Sequence, residues 1–232
     1  MNQNLYIIIN KFKHDKSCFT QGLNIYKNKL YESCGLFNKS TLNKINLNNN
    51  YIEKSIKIKN IFAEGITILY NIIFLLSYKS NDIFIYDINL NYIMKCKIYT
   101  TTNECWGITH NNDSLIVSDG SHYLHFYEFP NKYTKILKFK YKIPISINGF
   151  PLNNLNELEF VDNYIYANIF TTFNIIKINT NNYKIEKKYN FNNLSEIEGY
   201  NNLMNGITFN KSKKTFLITG KNWNYIYEVK FL

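Results

Sequence analysis

The hexapeptide Phe62-Ala63-Glu64-Gly65-Ile66-Thr67 recurs in altered form along the chain. Phe19-Thr20-Gln21-Gly22-Leu23 comes before it. Cys105-Trp106-Gly107-Ile108-Thr109, Leu155-Asn156-Glu157-Leu158 and Met204-Asn205-Gly206-Ile207-Thr208 follow. Five copies at a spacing of about 40 to 50 residues indicate a repeat architecture. One column stands out. Gln21, Glu64, Trp106, Asn156 and Asn205 fall just before the glycine, or before Glu157 in the fourth copy. Symmetry-related positions of a closed ring face one another, so this column is the expected site.

Each repeat divides into short β-branched and aromatic runs separated by Asn- and Asp-rich turns. In the second repeat the predicted strands are 65–69, 72–77, 83–87 and 92–98. The third is read as 115–118, 123–129 and 134–141, and the fourth as 164–168, 175–179 and 184–189. No segment holds apolar residues at helical spacing, so essentially no helix is expected. Four strands per repeat and five repeats describe an all-β, five-bladed β-propeller, taken as one domain over residues 1–232. The fifth repeat offers only three strands, 206–209, 215–219 and 225–230. The spare run Leu5–Ile9 is predicted to supply the fourth and to close the ring within the last blade.

Composition narrows the function. The 232 residues are 45% hydrophobic and 19% charged, which suits a globular chain. The net charge is +10, yet the sequence contains no arginine, the side chain best suited to bidentate phosphate contacts. The lysines are dispersed and alternate with apolar residues, as over 136–143, where a half-buried strand is expected. A nucleic-acid partner is therefore not expected, and no apolar run reaches membrane-spanning length. Leu5–Ile9 is too short for a signal peptide, and no targeting segment is read. Cys18, Cys34, Cys96 and Cys105 lack metal-motif spacing. Cys18 and Cys34 share a repeat and can meet, or all four remain buried thiols. His14, His110, His122 and His125 form no ligand or triad pattern, and His122 and His125 are read as surface.

Strand direction places the column on one mouth of the ring, together with the loops after each second strand. That mouth gathers Gln21, Glu64, Trp106, Asn156 and Asn205 beside Phe19, Phe62, Tyr78, Phe170 and Lys221. Two long inter-blade loops, 143–154 and 191–203, join them; Glu196 and Glu198 in the second are read as solvated loop charges. A carboxylate, amides and an ammonium among aromatic rings suit a small polar ligand. A partly desolvated Glu64 favours a shuttled proton, and Lys221 and Asn156 can donate to an oxyanion. Each also has a plainer reading: a carboxylate satisfying turn amides, a surface lysine, a turn asparagine, and Trp106 as core packing.

These phrases, with Tyr166-Ala167-Asn168 and Thr219-Gly220-Lys221 before Trp223, resemble the motifs of the plant-type glutaminyl cyclases from about Tyr6 to Phe231. The resemblance implies a five-bladed propeller that converts the N-terminal glutamine of peptides or proteins to pyroglutamate with release of ammonia. It implies Glu64 as general acid/base, and Asn156 and Lys221 as the groups that polarise the amide oxygen. Gln21, Phe19, Phe62 and Trp106 would line the pocket, with Asn205 also on it. Tyr78 and Phe170 stand where the family usually has tryptophan, so a looser pocket is expected. The resemblance implies no catalytic metal or other cofactor, a structural calcium in the central channel, and secretory or extracytoplasmic placement. The chain is taken as a monomer. Two other classes fit the fold: an inactive propeller that binds peptides, and a metal-dependent lactonase, for which the column has too few carboxylates.

Overall fold

The computed structural model describes residues 5–232; the targeting-segment reading touches residues 1–4, which lie outside them. Asn and other small turn formers set the hairpins. Lys27-Asn28 and Tyr70-Asn71 both take positive φ, the two-residue turn whose twist matches that of its strands. The first blade runs β2 (Thr20–Tyr26), β3 (Lys29–Cys34), β4 (Thr41–Asn46) and β5 (Tyr51–Lys57). The second runs β6 (Ala63–Leu69), β7 (Ile72–Ser77), β8 (Asp82–Asp87) and β9 (Tyr92–Lys97). The third runs β10 (Ile108–His110), β11 (Leu115–Ser118), β12 (Tyr123–Tyr127) and β13 (Phe139–Pro144). The fourth runs β16 (Leu155–Val161), β17 (Tyr164–Ile169), β18 (Asn174–Asn179) and β19 (Ile185–Asn190). In the fifth, β20 (Met204–Asn210), β21 (Thr215–Gly220) and β22 (Tyr225–Phe231) are completed by β1 (Tyr6–Lys13). The closing pair is antiparallel from Tyr6–Phe231 to Lys13–Tyr225.

The chain is thus the five-bladed propeller that its repeats indicate, and the N-terminal strand closes it. The apolar core is distributed between neighbouring blades. Leu42, Ile66 and Ile73 join the first two, Leu76, Cys105 and Val117 the next, and Tyr166, Ile207 and Phe216 the last two. The seam between the fifth and first blades is made by Leu23, Leu30, Ile45, Leu217 and Ile226. The buried pair of His14 and Glu32, 2.8 Å apart, also crosses it. Burial lowers the His14 pKa, but Glu32's charge and the Trp223 carbonyl outweigh this and hold it up at about 8.

Four details depart from the sequence reading. A helix, α1 (Asn192–Glu198), interrupts the loop at 191–203. The loop at 143–154 folds into a small hairpin, β14 (Ser146–Ile147) and β15 (Phe150–Pro151). The outer strand of the third blade begins at Phe139, not at 134, and Phe139 and Tyr141 are exposed, each resting one ring face or edge on Tyr127 or Phe126. His125 is buried, against Asp119 and Thr101, and not at the surface.

Around the axis the innermost strands come unusually close. A Cβ on Gly107 would lie 2.1 Å from the Asn156 carbonyl oxygen, and one on Gly65 2.8 Å from the Trp106 oxygen. Only glycine allows that approach. Innermost strands also leave N–H groups without ladder partners, and side chains from other blades accept them. Glu157, which stands where other repeats have glycine, accepts Leu23 N–H and Ile207 N–H from the first and fifth blades. Glu159 accepts Phe209 N–H.

Candidate active site

The column residues owe their placement to a repeated irregularity. In β2, β6, β16 and β20 the register slips by one residue at Gln21, at Glu64-Gly65, at Asn156-Glu157 and at Asn205-Gly206. A bulge leaves its extra residue out of the ladder and re-aims its side chain. In the third blade the N–H of Trp106 and the O of Gly107 both bond Ser118, just before β10 starts. Backbone bonds then dock the loop after each second strand beside the column. Gly35 N–H donates to Phe19 O, Tyr78 N–H to Phe62 O, Phe170 N–H to Asn154 O and Lys221 N–H to Leu203 O.

These contacts bring the candidate residues to one mouth. Glu64, Gln21, Asn156, Asn205 and Lys221 are all buried, and Phe19, Phe62, Tyr78, Trp106 and Phe170 are partly buried around them. Lys221 Nζ donates to Gln21 Oε1 at 2.9 Å, and Asn205 Nδ2 donates to the same oxygen at 3.1 Å. The ammonium also lies 4.7 Å from the Phe19 ring centre and 5.1 Å from that of Phe170. The rings form two groups. Phe19, Phe62 and Tyr78 follow one another at 6.3 and 5.8 Å, and Trp106 meets Phe170 edge-on at 5.3 Å. Gly120, at φ +78°, has no Cβ to obstruct the Trp106 indole lying over it.

The electrostatics are those of a desolvated pair. Burial raises the Glu64 pKa well above the usual carboxylate range; Lys221 opposes this and Glu104 adds to it. Burial lowers Lys221 to about 8 against the pull of Glu64. Among the described residues the Glu64 carboxylate has no hydrogen-bond donor, so it does not serve turn amides; Ser33 binds its backbone oxygen instead. Three further polar atoms are buried without a partner here: Gln21 Nε2, Asn156 Oδ1 and Asn205 Oδ1. Unsatisfied donors and acceptors on neighbouring column residues suit a ligand that carries an amide.

Some residues escaped the sequence reading. Glu104 binds the Trp106 indole N–H at 3.0 Å and was signalled only as the one acidic residue between the second and third blades on this side. Asn168, whose Nδ2 is buried without a partner, accepts Gly206 N–H. Glu198 is not a solvated charge: it is buried and accepts from Asn224 and from the Tyr227 hydroxyl at 2.6 Å, while Glu196 is exposed. Cys18 and Cys34 form a disulfide; Cys96 and Cys105 are free and buried. His14, Cys18 and Glu32 converge within 4.8 Å, a donor set invisible in sequence spacing, with the Cys18 sulfur already bonded to Cys34.

The fold and this mouth define a class: five-bladed propellers holding a desolvated carboxylate and ammonium at one end of the channel. Within it, residues 1–231 match the family described as glutamine cyclotransferase, and the chain belongs to that family of enzymes. It is 29% identical over 231 residues to a glutaminyl-peptide cyclotransferase of Arabidopsis thaliana, covering 96% of this chain and 70% of the relative. The crystal structure of Myxococcus xanthus glutaminyl cyclase superposes with a TM-score of 0.87 at 25% identity, over 97% of this chain and 95% of that one. Virginiamycin B lyase from Staphylococcus aureus shares the fold alone, with a TM-score of 0.57 at 10% identity over 98% and 100% of the two chains. No helix among the described residues is long and apolar enough to cross a membrane.

Proposed function

We propose that the chain cyclises the N-terminal glutamine of peptides or proteins to pyroglutamate, with Glu64 moving the proton. The substrate's α-amine nitrogen bonds to the side-chain amide carbon, the bond from that carbon to its own nitrogen breaks, and ammonia leaves. Glu64 accepts a proton from the attacking amine and returns one to the departing nitrogen. Burial raises its pKa and makes it a stronger base than an ordinary carboxylate, which suits the first half, and the Lys221 charge favours loss of the proton, which suits the second. Lys221 and Asn156 polarise the amide oxygen as it gains charge, with Asn205 beside them. Lys221 and Asn205 already donate to a primary amide oxygen, that of Gln21, which supports reading this donor pair as a cradle for the substrate's amide oxygen. Phe19, Phe62, Tyr78, Trp106 and Phe170 hold the folded glutamine so that amine and carbonyl meet.

The observation that carries this reading is the buried Glu64 facing Lys221 at the mouth, within a chain of this family. The mechanism runs on these side chains without a metal step. The structural calcium that the resemblance implies would be held by backbone carbonyls of the channel and not by these side chains. Glu157 and Glu159 are engaged by backbone N–H groups and are not free for a cation. Calcium takes about six to eight oxygens. The Cys18–Cys34 disulfide supports an extracytoplasmic setting. The test is ammonia release from a Gln-initiated dipeptide beside its N-acetylated form. Release from the free peptide alone is expected; a folded protein that releases none from either overturns the proposal.

A further inference from the structure

Glu104 lies off the repeat column and has no role in the chemistry above, yet it bonds one half of the aromatic wall and pairs with Lys79, the residue beside the other. Its Oε2 accepts the indole N–H of Trp106 at 3.0 Å. Tyr78 is held to the same segment through the backbone, its carbonyl accepting the N–H of Cys105, the residue after Glu104, at 3.0 Å. Lys79 closes the group from outside, 3.4 Å from Oε1 and 4.9 Å above the Tyr78 ring. Tyr78 comes from the second blade and Trp106 from the start of the third, so one carboxylate spans the boundary. The segment bearing it is pinned in turn. Thr100 Oγ1 donates to the Glu104 carbonyl at 2.6 Å, Thr102 N–H to Asp119 at 3.0 Å, and Thr101 bonds His125 at 2.8 Å.

We propose that Glu104 is a positioning residue of the pocket, tying Trp106 to Tyr78 across the boundary between the second and third blades so that the wall holds the substrate's glutamine in one pose. The inference rests on the cyclisation reading for what the wall holds. Glu104 has a second consequence through its charge, since it faces Glu64 and adds to the cost of ionising it. The other titratable groups facing these two carboxyls are Lys221, Lys79, Tyr78 and Cys105.

The test compares Glu104→Ala with Glu104→Gln by steady-state kinetics, pH profile and acrylamide quenching of tryptophan fluorescence. Trp223 is fully buried, so quenching reports Trp106. Glu104→Ala should raise KM, lower kcat/KM on the order of tenfold to a hundredfold, as loss of pose does, and make Trp106 more quenchable. Glu104→Gln keeps an acceptor for the indole, so it should lose less in KM. It should also move the acid limb of the kcat/KM profile to lower pH, because Glu64 loses an anionic neighbour. Unchanged quenching and KM in Glu104→Ala would overturn the proposal. So would equal losses in both variants with the acid limb unmoved, the pattern of a structural role. If Glu104→Ala fails to fold, the acid limb and KM of Glu104→Gln decide. If the wild type releases no ammonia, the cyclisation reading fails, while the quenching comparison still decides whether the brace exists.

Discussion

At Glu64 a carboxyl group is buried with an ammonium for company and, among the described residues, no hydrogen-bond donor. A stabilising role would have supplied donors, so its replacement should cost chemistry and not fold. Glu64→Gln is expected to lower kcat by about 10² to 10⁴, the usual worth of a general acid/base, with an unchanged circular dichroism spectrum. A variant that keeps half the wild-type rate would remove Glu64 from the proton path. Phe170 tests the wall. It meets Trp106 edge-on and lies under Lys221, and an indole there would cover a few tens of Å² more of a bound side chain. Phe170→Trp should lower KM about fivefold, near 1 kcal/mol, with a smaller change in kcat. Steady-state kinetics of Phe170→Trp and Phe170→Ala check this; no movement in either places the ring off the substrate. The column was legible because repetition marks it. Glu104 and Glu198 were not, because each reaches its partners from a segment that no repeat position indexes.

The innermost strand is the element that makes a site out of a scaffold. In four blades its bulge turns one residue toward the mouth, and where it carries a glycine the next blade can approach. Gly107→Ala puts a carbon on the Asn156 carbonyl, and backbone must shift to relieve it. The expected cost is about 1–3 kcal/mol or more, read as a lower urea midpoint, together with lost activity because Asn156 moves too. A midpoint within error of wild type would mean that the blades are less tightly apposed than described. The β-branched and aromatic runs between Asn- and Asp-rich turns made most strands readable to within a residue or two. The outer strand of the third blade was misplaced because its apolar and lysine residues alternate from 136 on, yet the strand starts only at Phe139 and both its faces are largely open to water. Helix α1 was missed because its seven residues are too few for a periodic signal. It has no side-chain N-cap bond, and packing of Leu194 and burial of Ser195 and Glu198 hold it.

Closure governs the molecule as a whole. Removing residues 1–13 takes β1 away and leaves β22 as an open edge, so the truncated chain should aggregate and lose its cooperative thermal transition. A monomer with an unchanged Tm would show that the ring does not need its last strand. The same seam carries a pH dependence. His14 has a folded-state pKa raised from 6.5 to about 8, so the folded chain binds the extra proton. Its contribution is complete below the unfolded pKa and disappears as pH rises through the folded one, roughly 2 kcal/mol in all. Unfolding by urea at about pH 6 and about pH 8 should show this difference shrinking in His14→Gln. The raised carboxyls Glu64, Glu157 and Glu159 act in the same direction, so the comparison between the two proteins isolates His14. The pairing of Tyr6 with Phe231 also sets an order on biosynthesis. On the ribosome β1 is made first and its partner β22 last, so an isoleucine-rich strand must wait unpaired through the translation of every blade. The nascent chain therefore stands to gain most from a chaperone that shields Ile7, Ile8 and Ile9 until the final blade emerges.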